Sequence, residues 1–231
     1  MKISKITKLL PLAVAFVMAT TGAYAEGAPG TSTEQTVDTQ TLNYSLDLQP
    51  FFDIETTSSS LSSNTSFGEN YTKLTIDTPL NATFQVIGNQ VSQSVALSAT
   101  CPALDGGGQN TTGGALYNVA EGANAGLRII FANSTNRPSD LTTMKTTHAT
   151  ASSPNAIAFT LTPTYTHTET PTDGFLNTPA LSDDKIVYEL ANGKHTFQYV
   201  IGTTPVDSSF STLDTNGTYQ ATLTLAQYTA P

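Results

Sequence analysis

Three histidines, one cysteine, one adjacent acidic pair and one glycine run are the places where this sequence could do chemistry. His148, His167 and His195 are candidates for metal ligation or proton transfer, but none has a neighbour at ligand spacing. His195 falls on the apolar face of its segment near a turn and is expected to be a packed or rim histidine rather than a ligand. In Asp183-Asp184 the two carboxylates are adjacent, and adjacent strand or loop residues point apart. They are read as a solvated turn, not as an acid/base pair or a calcium site. The run Gly106 to Gly114 lacks the Gly-Lys-Ser/Thr ending and following helix of a phosphate cradle, and reads as a flexible loop. No Gly-x-Ser-x-Gly elbow occurs. Tryptophan is absent, which removes the usual sugar-stacking platform, although tyrosine can serve. The expectation is a chain with no catalytic residue, no metal and no cofactor, that is, not an enzyme.

The amino terminus points to export. Lys2, Lys5 and Lys8 precede an apolar run from Leu9 to Ala19, and Ala23-Tyr24-Ala25 puts small residues at −3 and −1 before Glu26. The run is shorter than the ~20 residues of a membrane span, so residues 1–25 are expected to be a removed signal peptide. The remaining 206 of 231 residues lose three lysines with it, and the formal charge moves from −9 to −12. Only Lys73, Lys145, Lys185, Lys194, Arg128 and Arg137 stay as fixed cations. Such a chain is repelled by phosphate backbones, which excludes nucleic acid as a partner. Cys101 is the sole cysteine and forms no disulfide within the chain. It is expected to be a small buried hydrophobe at the end of a strand.

The positioning elements are strands. Apolar residues alternate with polar ones at Leu42-Tyr44-Leu46-Leu48, Val95-Leu97-Ala99, Leu127-Ile129-Phe131, Ile157-Phe159-Leu161 and Tyr219-Ala221-Leu223-Leu225. Leu74 and Ile76 lead through Pro79 to Phe84 and Val86 in the same manner. The one helical candidate, from Ser139-Asp140-Leu141 onward, is a turn or two long. Asn192-Gly193 has the composition of a type I′ turn, and as a two-residue hairpin loop it pairs Leu190 with His195, Tyr188 with Phe197 and Ile186 with Tyr199. Long polar connections are expected at Thr56–Ser66, Pro102–Gly114, Asn133–Asn155 and Pro163–Asp184, and residues 26–39 read as a flexible polar lead. The fold class is all-β.

One stretch carries more than alternation. Leu42-Asn-Tyr-Ser-Leu-Asp-Leu-Gln-Pro50-Phe-Phe-Asp-Ile54 runs an alternating segment into a proline and a short apolar–acidic–apolar group. It resembles the mature start of chaperone–usher pilins of the α-fimbrial (class 5) type. Asn216-Gly217-Thr218-Tyr219 through Leu225 is similar to the last strand of such pilins, with Tyr219, Ala221, Leu223 and Leu225 as its apolar set. The resemblance implies an incomplete immunoglobulin-like β-sandwich over residues 50–231, completed by donor-strand exchange. It also implies a donor strand at residues 40–49, whose Leu42, Tyr44, Leu46 and Leu48 enter a neighbour's groove.

The expected partners are copies of this chain or related pilins, a periplasmic chaperone, an outer-membrane usher and, for adhesion, a host receptor. The expected location is the cell surface, reached through the periplasm, as part of a fimbrium. Taken from alternation alone, Leu42–Leu48 is equally an ordinary first strand of the chain's own sandwich. The rival function is then a monomeric surface-displayed adhesin or glycan-binding module working through its long loops.

Overall fold

The structure, a computed structural model, describes residues 48–58, 61–68, 73–120, 125–147, 154–168, 174–206 and 209–229. The chain divides into a unit Met1–Gln49, of which only Leu48 and Gln49 are described, and a unit Pro50–Pro231. The leader, the polar lead and Leu42, Tyr44 and Leu46 lie outside the described residues.

The second unit is an all-β sandwich with every pairing antiparallel. One sheet runs in the order β1 (Phe52–Thr56), β4 (Leu80–Gly88), β12 (Gly193–Pro205), β9 (Ala156–His167) and β8 (Gly126–Asn133). The outer edge of β8 is shared by β7 (Leu116–Val119) and β13 (Tyr219–Gln220). The facing sheet runs β10 (Leu181–Ser182), β11 (Lys185–Leu190), β5 (Gln93–Leu104) and β14 (Thr222–Gln227). β6 (Asn110–Gly114) continues along the β11 edge of β5, because Ser98 and Thr100 each have β14 on their other side. A two-stranded ribbon, β2 (Thr65–Phe67) with β3 (Leu74–Ile76), belongs to neither sheet.

Period-2 alternation decides the inward face. In β5, Val95, Leu97, Ala99, Cys101 and Ala103 are all buried while the residues between them are not. Opposite them stand Phe84 and Val86 of β4 and Phe197, Tyr199 and Ile201 of β12. Each large apolar side chain so buried stabilises the fold by about 1.5–3 kcal/mol. The beginning of β9 is buried on both faces, since the chain returns over it: the Ser209 hydroxyl donates to Ala158 O (3.1 Å) and accepts from Ala158 N–H (3.0 Å). The helix α1 (Thr142–Thr147) is short, as its sequence foretold, and Asp140 caps it by accepting from Thr142 N–H at 2.7 Å.

Three expectations need correction. Asn192-Gly193 is not a hairpin turn. β11 pairs with β5 in one sheet and β12 with β4 and β9 in the other, so the chain crosses the sandwich at this point. Gly193 has φ 123°, while Asn192 is not at positive φ, and a type I′ turn needs both. The crossing wins because each strand has one apolar face, and an arch lets the two faces pack against each other. Tyr188 and Phe197, foreseen as neighbours within one sheet, instead meet across the core with ring centroids 5.0 Å apart.

Pro102–Gly114 is mostly strand rather than loop. Its turn is only Asp105–Gln109, closed by Asp105 Oδ1 accepting from Gly107 N–H (3.0 Å) and Gln109 N–H (2.6 Å). The glycines serve β6, where a Cβ on Gly113 would meet Leu141 Cδ1 at 2.6 Å. Pro163–Asp184 likewise begins as strand, since β9 continues to His167. Pro163 is tolerated there because β8 pairs with β9 only as far as Thr160, and no described strand pairs with that edge beyond it.

Candidate functional site

The residues singled out for chemistry are brought together only in part. Asp183-Asp184 forms a two-residue turn between β10 and β11, with φ 50° and 60°, and Asp184 accepts an ion pair from Lys145 Nζ at 2.6 Å. His148 lies outside the described residues. His167 and His195 come to lie on adjacent strands, their rings stacked 4.4 Å apart, which no local spacing announces. His195 is fully buried with both nitrogens engaged. Ala191 O accepts from His195 Nε2 (2.8 Å), so Nε2 carries the proton and Nδ1 accepts from the Tyr165 hydroxyl (2.5 Å). A packed or rim histidine was expected, and the structure gives the packed one, locked between the arch and β9. Among the described residues no three His, Cys, Asp or Glu side chains gather to hold a metal ion. Cys101 is buried as expected but lies within β5 rather than at a strand end, since Pro102 to Leu104 continue the pairing with β6; burial pushes its thiol up to about 12. It is held protonated and unreactive.

The feature that stands out is an apolar cleft of about 1510 Å³. Its floor is the inner face of the first sheet: Leu80 and Phe84 from β4, Ile201 from β12, Phe159 and Leu161 from β9, and Phe131 from β8. One wall is the β2–β3 ribbon, through Phe67, Leu74 and Ile76. Phe210, whose ring centroid lies 5.8 Å from that of Phe67, and Tyr219, Ala221 and Leu223 complete the lining. The volume exceeds the ~300–1,000 Å³ usual for small-molecule pockets. The lining is apolar along the floor and polar at its margins, with Thr56, Ser58, Ser62, Ser63, Asn64 and Thr65 on the ribbon side and Asp214, Thr215 and Asn216 at the mouth beside the last segment.

That mouth is rigidly tied. Asn133, fully buried, accepts from Thr135 and Asn136 N–H (both 2.9 Å) and donates through Nδ2 to Thr215 O at 3.3 Å. Asp214 accepts from Asn155 N–H (2.6 Å) and Ser211 N–H (2.7 Å). Its burial raises the carboxyl above the ordinary range against the pull of those donors. Tyr219 donates to Thr215 O at 2.9 Å, which fixes where the last segment enters the sandwich.

The predicted last strand lies along this cleft but is two strands. Tyr219-Gln220 pairs with β8 in the first sheet, the chain changes sheets at Ala221, and Thr222–Gln227 pairs with β5 in the second. Tyr219, Ala221 and Leu223 line the cleft, and Leu225 is buried in the core. One edge of β14 is bonded to β5. No strand of the described residues pairs with the other, and that free edge borders the cleft. Of the predicted donor residues, Leu48 alone is described, and it is 74% exposed.

Reasoning from sequence had assigned Phe84, Phe131 and Phe159 to strands but had not seen that they share an open floor. Phe67 and Phe210 were missed altogether. Each is a lone aromatic in a polar stretch, which is the only signal that could have marked them. No family model matches the chain, and no curated protein and no solved structure matches it either.

Proposed function

We propose that the chain is a structural, non-catalytic subunit of a bacterial fimbria. It is exported through the periplasm, held there by a chaperone, passed to an outer-membrane usher and polymerised by donor-strand exchange into surface fibres that support adhesion. The observation that carries this reading is an edge of β14 with which no described strand pairs, beside an apolar cleft. Immunoglobulin-type sandwiches place strands A, B, E and D in one sheet and C, F and G in the other. The order β1-β4-β12-β9 corresponds to A-B-E-D, and β5 with β14 corresponds to C and F. The strand that G would supply, next to β14, has no counterpart in the described part of Pro50–Pro231.

An exposed edge with an apolar face invites strand addition, in which backbone hydrogen bonds provide affinity and alternate side chains provide specificity. The segment 40–49 has the alternation that such a groove takes, with Leu42, Tyr44, Leu46 and Leu48 on one face. The test is Leu46→Asp. An unpaired carboxylate against apolar side chains costs several kcal/mol, so polymers should vanish while subunit still accumulates with its chaperone. Loss of the subunit itself would make the segment the chain's own first strand. Normal fibres would defeat strand exchange through this segment.

A further inference from the structure

Exposed apolar side chains stand at opposite ends of the sandwich. Val91, 86% exposed, sits in the turn between β4 and β5. That turn is already held to the start of β1, since Asn89 Oδ1 accepts from Phe51 N–H (2.8 Å) and Asn89 N–H donates to Phe51 O (3.3 Å). Valine supplies neither a special φ nor a local hydrogen bond to a turn, so the turn does not explain it. Phe51, at the same end, is 51% exposed. At the other end Leu213, 64% exposed, projects from the Ser211–Asp214 turn at the polar mouth of the cleft.

Strand direction connects these two ends. β14 runs toward the Val91 end, as Thr222 pairs with Thr100 and Gln227 with Val95, close to the start of β5. An added strand antiparallel to β14, the more stable arrangement per residue, runs the opposite way and leaves the cleft at the Leu213 end. If that strand is segment 42–48 of another copy, only Gln49 and Pro50 separate Leu48 from Phe51. Three residue steps span at most about 11 Å. The donor's Phe51/Val91 end is therefore held against the acceptor's Leu213 end.

We propose that Val91 and Phe51 of one copy dock on the Leu213 turn of the next, a second head-to-tail contact that accompanies the donated strand; this rests on the strand-exchange reading above. The contact joins two different surfaces, so it repeats without closing and extends into a filament. It excludes water from the short linker and makes the junction stiff rather than a free swivel.

The test uses the full chain produced with its chaperone. Val91→Asp and Leu213→Asp each place a carboxylate in the contact, and each should lower the polymer fraction roughly tenfold or more. Val91→Asp combined with Leu213→Lys should recover most of it. A synthetic peptide of residues 40–49 should raise the Tm of the single variants as much as that of the parent chain, because the cleft is unchanged. Single variants that polymerise like the parent, or a charge pair that does not recover, overturn the contact and leave the cleft's role intact. A peptide without effect on the parent chain overturns strand exchange and this contact together.

Discussion

The two ends of the sandwich are built from the same strands, yet one is closed and the other open. Toward Gly193, the inner faces of β9 and β12 meet β11 and the Gly174–Asn177 segment. Phe197 there packs among Tyr165, Phe175, Tyr188 and Tyr199, with ring centroids between 5.0 and 6.5 Å apart. The outer edge of β11 is also covered, as Leu176 N–H donates to Glu189 O at 2.7 Å and Asn177 Oδ1 accepts from Glu189 N–H at 3.0 Å. Toward Ile201, the same two strands face the cleft. The difference lies in the facing layer. Where β11 faces them the aromatic core is complete, and where the cleft opens no strand of the described residues covers the floor. An apolar face is the same chemistry at both ends, and only its cover distinguishes the closed end from the open one.

Substitutions can break that comparison. Phe197→Ala, in the closed end, should cost about 3–5 kcal/mol in urea unfolding, whether or not the 40–49 peptide is present. Leu223→Ala, on the cleft wall, should cost about 1 kcal/mol in the empty subunit and about 2–3 kcal/mol with the peptide bound, because only then is the side chain fully enclosed. An equal cost in both states would mean that the cleft is not where the peptide goes. At the crossing between the sheets, Gly193→Val forces a β-branched residue to φ 123° and should cost about 1–2 kcal/mol, with no dependence on peptide.

At neutral pH the smallest effect concerns Cys101, on the strand that both ends share. Its thiol is raised from 9.0 to about 12 by burial. A group raised in the fold contributes stability below its unfolded value that is lost as pH climbs through the folded one. No change is therefore expected up to pH 9, with a decline between pH 9 and 12. Iodoacetamide at pH 8 should leave the native thiol untouched and modify it only after unfolding. Rapid native labelling would show that β5 opens locally.

Much of this was legible in the residues. Alternation at Val95-Leu97-Ala99, Ile157-Phe159-Leu161 and Leu74-Ile76 marked strands whose apolar sides are buried. The Tyr188–Phe197 contact was foreseen, but as neighbours along one sheet, because alternation states which face turns inward and nothing about which edge is bonded. Asn-Gly composition favoured a hairpin at 192–193, yet β4, β5 and β9 offered both strands longer partners: β12 pairs with β4 at nine positions. The positive-φ two-residue turn is at Asp183-Asp184 instead, where the composition signal was weaker. The glycine run was read as loop because glycine is a poor strand former, whereas at Gly113 the close approach of Leu141 requires it.

The sequence by itself determined the all-β class, the inward side of most strands, the burial of Cys101, and the brevity of the helix at Thr142–Thr147. These are consequences of period-2 patterning and local composition, which act within a few residues. The tertiary structure alone decided which sheet each strand joins, that the last segment changes sheets at Ala221, that His167 stacks on His195, and that Phe67, Phe84, Phe159 and Phe210 surround a common cleft beside an edge of β14 with which no described strand pairs. Backbone hydrogen bonds are the same for any partner strand, so pairing is settled by long-range burial summed over the whole sandwich, and no window of sequence contains that sum.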